Sequence, residues 1–164
     1  MKPAATHVGA LIDSFEAAWS SGDTGAFTKV CAPDVHYEDP LCGEPLEGPA
    51  EIGAHAEQLW AGFPDVRVEA TGERLSDGRF VAAPCKLLGT HRNELAGLPA
   101  TERFVVVQVM VYAELDPPRE RLWRVRAFFD LYDAAVQLGV LPRRGTLGER
   151  ALLMLRGFGI SRSR

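Results

Sequence analysis

The chain lacks any run approaching the roughly 20 consecutive apolar residues that a membrane-spanning helix needs. No apolar segment follows Met1-Lys2, so a secretory signal peptide is not expected. Cysteine is scarce: Cys31, Cys42 and Cys85 are odd in number and have no Cys-x-x-Cys spacing. That count argues against a disulfide framework, offers no zinc motif and fits a reducing cytoplasm. His7, His36, His55 and His91 fall in neither His-x-His nor His-x3-His spacing, so no metal ligand set is read. No Gly-x-Gly-x-x-Gly and no Gly-Lys-Ser/Thr occurs, so no dinucleotide or nucleotide cofactor is implied. Lysine is restricted to Lys2, Lys29 and Lys86, a bias from which no function follows. A net charge of −4 argues against nucleic acid or an anionic membrane as the main partner.

What is present is an ordinary globular composition, 46% hydrophobic and 24% charged, in a length that suits one domain, or one domain with a tail. Val8, Leu11, Ile12, Phe15, Ala18 and Trp19 repeat at helical spacing over residues 5–20. Ser21-Gly22-Asp23 breaks that helix, and Asp23 or Thr24 caps a short second one through Cys31. A third runs from Pro49, a favoured first-turn residue, to Trp60, with Ile52, His55, Ala56 and Leu59 as its inner stripe. The second half changes character. Segments 66–75, 79–89, 103–115 and 121–129 read as strands, the third dense in β-branched residues. Helices first and antiparallel strands afterwards indicate an α+β fold. Residues 1–142 are assigned to the domain. Residues 143–164 form a basic tail, in which 149–156 is a candidate short helix and the chain beyond about Gly157 a candidate loose terminus.

The most informative segment is Val35-His36-Tyr37-Glu38-Asp39-Pro40. Read as a short strand, it puts Tyr37 and Asp39 on one face, because alternate side chains share a face. A phenol beside a carboxylate indicates proton transfer. The competing reading is structural: Asp39 caps the turn at Pro40, and Tyr37 is a core aromatic.

In the order and spacing of its motifs the chain resembles the nuclear transport factor 2-like superfamily, and within it the polyketide-cyclase (SnoaL-like) and ketosteroid-isomerase-like branch. The resemblance spans residues 7–142. Its carriers are Trp19-Ser20-Ser21-Gly22-Asp23, Tyr37-Glu38-Asp39-Pro40, Gly48-Pro49-Ala50-Glu51-Ile52 and Phe63-Pro64-Asp65. Gly89-Thr90-His91, Gly97-Leu98-Pro99-Ala100-Thr101, Asp130 and Gln137-Leu138-Gly139 follow. The resemblance implies a cone-shaped, strongly bent, mostly antiparallel sheet, with three N-terminal helices enclosing an apolar cavity. It also implies a homodimer paired through the open sheet face.

By resemblance to the ketosteroid isomerases, Asp39 of Glu38-Asp39-Pro40 takes the position of the base that moves a proton next to a carbonyl, a task suited to a carboxylate in an apolar cavity. The oxyanion hole of those enzymes is altered: Phe15 stands at the first-helix donor position, and Gln108 falls near the strand acid. Alternation puts Val125, Ala127 and Phe129 on one face of the last strand; by resemblance to the isomerases that is the cavity face, which leaves it without an inward acid. Asp130 has two readings, a rim acid or the cap of the next helix. His55 is either a satisfied core residue or a second acid/base. His36 is expected outward, and His91 solvated in a loop. Trp19, Trp60, Phe63, Met110 and Tyr112 complete the expected apolar lining.

The expected function is a cofactor-independent isomerase or cyclase acting on a hydrophobic, carbonyl-containing small molecule of polyketide, terpenoid or steroid type. The alternatives are an epoxide hydrolase or epoxide-opening cyclase, and a non-catalytic binding or dimerisation module. Neither nucleic acid nor membrane is an expected partner.

Overall fold

The structure is a computed structural model that describes residues 7–155. Helix α1 (His7–Trp19) buries the stripe expected of it, Val8, Leu11, Ile12, Phe15, Ala18 and Trp19, together with Glu16. Asp23 then caps a single 3-10 turn by accepting from Gly25 N. Next come α2 (Phe27–Val30), β1 (Cys31–Glu38), a two-residue strand β2 (Leu46–Glu47) and α3 (Pro49–Gly62). Gly53 of α3 is dictated by packing: a Cβ there would lie 2.7 Å from Thr24 O, so only glycine lets α3 reach the 3-10 turn.

The remaining strands are β3 (Arg67–Ala70), β4 (Leu75–Ser76), β5 (Phe80–Thr90), β6 (Phe104–Leu115) and β7 (Leu122–Phe129). Helices α4 (Leu131–Gln137) and α5 (Leu147–Leu155) follow. The first strand begins four residues earlier than the sequence indicates, at Cys31, because α2 is only one turn long. The expected 66–75 strand is divided, β3 and β4 each pairing separately with β5. Arg156, Gly157 and the expected loose terminus after them, residues 156–164, lie outside the described residues.

The strands form one open sheet in the order β2-β1-β7-β6-β5-β3, with β4 beside β5. All pairings are antiparallel except β1–β7. That parallel pairing sets Tyr37 opposite Val125. The helices pack on the inner face, where Val81, Ala83, Val111, Ala113, Val125 and Ala127 meet Ile12, Phe15, Phe27 and Ile52. A second cluster of Phe63, Val66 and Val105 sits under Leu95 and Leu138.

The alternation of β6 runs opposite to expectation. Val105, Val107, Val111 and Ala113 are buried, so Gln108, Met110 and Tyr112 lie on the outer face, not in the cavity lining. Valine occupies inner and outer positions alike along 105–109, so hydropathy leaves the phase open, and packing against the helices sets it. On β7 the expected face holds: Val125 and Ala127 are buried, and Phe129 shares their side.

Before Val109, over residues 104–108, the β7 edge of β6 has no strand partner among the described residues, because β7 ends at Phe129, opposite Val109. Helix α4 covers this edge. The Gln137 side chain accepts from Val106 N at 2.8 Å and donates to Val106 O at 2.9 Å, reproducing a strand's two backbone bonds.

Candidate functional site

Strand β1 delivers Tyr37 to the inner face, where it is 3% exposed and its ring lies 5.6 Å from Trp19 and 6.4 Å from Phe15. The strand stops before Pro40, and Asp39 performs two tasks at that stop. Its Oδ1 accepts from Leu41 N at 2.7 Å and Cys42 N at 3.1 Å, which is the turn-capping role. Its Oδ2 accepts the Tyr37 hydroxyl at 2.9 Å and meets His55 Nε2 at 2.8 Å. His55 reaches it from the inner side of α3, edge-on to Trp19. Of the sequence-level candidates, Asp39, Tyr37 and His55 are thus brought into one hydrogen-bonded cluster, against Phe15 and Trp19. Trp60 supports the wall by donating from Nε1 to Trp19 O at 2.7 Å.

The electrostatics assign donors and acceptors. Burial raises the Asp39 carboxyl, but the His55 hydrogen bond and charge, the Leu41 amide and the Tyr37 hydroxyl together outweigh it and hold the group below its ordinary value. Burial, then the neighbouring Asp39 charge, pushes Tyr37 well above its ordinary value, so its hydroxyl stays a donor. An ionised carboxylate only accepts, so the proton between His55 and Asp39 belongs to Nε2; the neutral form of the ring then has its lone pair on Nδ1.

Cys42 was not among the sequence candidates. Its Sγ lies 3.8 Å from His55 Nε2, the same nitrogen that faces Asp39. One oxygen, one sulfur and one nitrogen from Asp39, Cys42 and His55 all fall within 4.8 Å of each other. The signal was present as Asp39-x2-Cys42 followed by His55 one helix later, but it matches neither paired-cysteine nor paired-histidine spacing. Burial pushes the Cys42 thiol up to about 11.

Other expectations part company with this cluster. Asp130 caps α4, accepting from Asp133 N at 3.0 Å, and its exposed carboxylate lies 3.6 Å from Arg144. Gln108 and Asp130 both line a surface concavity of about 580 Å³ beside α4, with Arg103, Tyr132 and Arg143. A second concavity, of about 500 Å³, lies along α1 and the 3-10 turn. Neither is lined by Tyr37, Asp39 or His55. Phe63 belongs to the second apolar cluster. His36 is outward as expected, paired with Glu47 at 3.3 Å. His91, expected in solvent, is fully buried: it takes the Thr101 amide on Nδ1 at 3.2 Å and lies 5.1 Å from the Phe63 ring. The 91–103 connection folds back over it, Glu102 N donating to His91 O.

Residues 10–138 match the family model for the SnoaL-like polyketide cyclase, and the chain belongs to that family. Family members are described as cyclases or isomerases. Among solved structures, AclR of Streptomyces galilaeus, a candidate hydroxylase, superposes with a TM-score of 0.72 at 19% identity, covering 94% of each chain. IdmH of Streptomyces antibioticus, a candidate polyketide cyclase, gives 0.68 at 24% identity over 80% of this chain and 97% of its own. A SnoaL-like candidate isomerase from Agrobacterium tumefaciens gives 0.59 at 22% identity over 76% and 97%. At these identities the likeness establishes the fold, the α+β cone of the nuclear transport factor 2-like proteins. No curated protein matches the chain. No helix among the described residues is long and apolar enough to cross a membrane.

Proposed function

We propose that the chain is a cofactor-independent isomerase or cyclase that moves a proton next to a carbonyl of a hydrophobic small molecule, such as a polyketide. The observation that carries this reading is the convergence of Tyr37 Oη and His55 Nε2 on one oxygen of Asp39, against an aromatic wall. Asp39 is a weaker base here than the family resemblance implies, since four donors stabilise its anion. We therefore assign the exchanging proton to the Asp39–His55 pair as a unit. His55 Nδ1 takes the proton from carbon, Asp39 stabilises the imidazolium, and Tyr37 holds the carboxylate in place. The resulting enolate is reprotonated elsewhere in an isomerisation, or attacks a second carbonyl in a cyclisation.

The test is hydrogen–deuterium exchange by NMR over a panel of apolar 1,3-dicarbonyl compounds in D2O. The wild type should exchange α-protons above background, and Asp39→Asn and His55→Ala should each lose about 10²–10⁴-fold. Exchange that survives both substitutions would refute the assignment.

Asp39 Oδ1 on two loop amides favours a second reading, a non-catalytic binding module in which this residue only builds the turn. In that case the wild type binds panel members without exchanging them. Epoxide opening needs a further acid near Asp39, and Asp130, committed to the α4 cap, does not support it.

A further inference from the structure

We infer that Asp39, Cys42 and His55 form a binding site for a zinc-class divalent ion. The argument rests on how the three donors are arranged. In a nucleophilic relay a thiol and a carboxylate would engage opposite ring nitrogens, so that a proton passes through the imidazole. Here Cys42 Sγ, at 3.8 Å, and Asp39 Oδ2, at 2.8 Å, face the same nitrogen, Nε2 of His55. Donors that converge on one point are arranged for a shared cation, not for activation of the thiol.

The donor set and spacing fit that role. Thiolate, imidazole and carboxylate are the three side chains zinc prefers, and three protein ligands leave the open fourth position of a non-structural site. Bonds of about 2.0–2.3 Å set tetrahedral ligand edges of roughly 3.3–3.6 Å. The cluster brackets that range, so opening the Asp39–His55 contact by about half an ångström and drawing in the sulfur completes a site. The supporting shell already exists. Asp39 Oδ1 is fixed by the Leu41 and Cys42 amides, and Tyr37 donates to Oδ2. His55 retains 18% side-chain exposure, which gives an ion a way in.

Binding displaces protons. The Cys42 thiol gives up its proton to solvent, and His55 must free Nε2 by carrying its ring proton on Nδ1. An ion here therefore occupies both groups that the proposed proton transfer uses and acts as an inhibitor of it. The site itself does not depend on that reading.

The test is a titration of metal-free, full-length protein with Co²⁺, followed by its thiolate-to-cobalt charge-transfer absorption, and with Zn²⁺ by calorimetry. The expected result is one ion per chain, the charge-transfer band, and proton release that varies with buffer ionisation. Cys42→Ser should remove the band and weaken Zn²⁺ by more than the roughly 10–100-fold that losing an outer hydrogen-bond partner costs. Tyr37→Phe, which removes such a partner, should keep the band and weaken Zn²⁺ within that range. No saturable band, or a band unchanged in Cys42→Ser, overturns the site. Dicarbonyl exchange in the presence of a chelator reads the catalytic proposal separately.

Discussion

Gln137 brackets the backbone of Val106, accepting from its N–H and donating to its carbonyl. This gives the Gln137-Leu138-Gly139 motif a physical meaning. The glutamine replaces a missing strand, Leu138 seals the second apolar cluster, and Gly139 takes φ 79° directly over the Arg103 guanidinium, 2.8 Å from where its Cβ would be. Gln137→Ala leaves two half-buried backbone groups unmatched and should cost about 1–3 kcal/mol in urea unfolding. It should also speed hydrogen exchange at the Val106 amide. A variant as stable and as protected as the wild type would mean the edge is satisfied otherwise.

Asp39 carries two roles on two oxygens, and substitutions separate them. Asp39→Asn keeps an acceptor for the Leu41 and Cys42 amides and should unfold close to the wild type. Asp39→Ala leaves the Leu41 amide and Tyr37 without their acceptor, Cys42 N keeping only the Asp39 backbone carbonyl at 3.1 Å, and should lose about 1–3 kcal/mol. Equal stability of the two variants would remove the structural role from Oδ1.

Glu16 gives a pH dependence whose sign follows from burial. Desolvation raises its carboxyl above the ordinary 4.5, the attraction of Arg74 opposes this and Asp13 adds to it. One Glu16 oxygen pairs with Arg74 at 2.8 Å, while the other is buried without a hydrogen-bond partner among the described residues. With the folded value above the unfolded one, the contribution of this group to stability is complete below about pH 4.5 and is lost as pH rises through the raised folded value. As pH falls from neutrality toward 4.5, the wild type should therefore gain stability relative to Glu16→Gln. Urea midpoints of both proteins over a pH series measure this, and a constant difference would contradict it.

The homodimer that the family resemblance implies would use the outer face of the sheet. Pro84, Met110 and Phe128 lie across three adjacent strands, and Tyr112 stacks on Phe80 at 6.1 Å. Met110, Tyr112 and Phe128 are 41%, 43% and 54% exposed. If two copies pair here, light scattering should give twice the chain mass, and Met110→Asp should return the monomer. A wild-type monomer at high concentration would reject the pairing.

How much of this was legible varied with the physics behind each element. The apolar positions of the α1 stripe were readable to the residue, because a single buried face imposes its period on the sequence, while the burial of Glu16 among them was not. The phase of β6 was not, because valine serves inside and outside alike. Tyr37 and Asp39 were legible as neighbours, since two residues apart on a strand is a local fact. That both also meet His55 depends on how α3 docks, which the stripe containing His55 only hinted at. Cys42 and His91 were missed because their environments are made by loops folding back, and no periodicity marks such a fold.

The parallel pairing of β1 with β7 joins the start of the domain to its end: Glu38 and Arg126, 88 residues apart, are hydrogen-bonded across it. On the ribosome, the strand bearing Tyr37 emerges early and waits for its neighbour until β7 has been made. Until then the nascent chain carries a strand with an open edge, a target for chaperones and for misassociation. The Tyr37–Asp39–His55 cluster is thus flanked only when synthesis of the domain is nearly complete, and a chain truncated before Leu122 would lack the strand beside it.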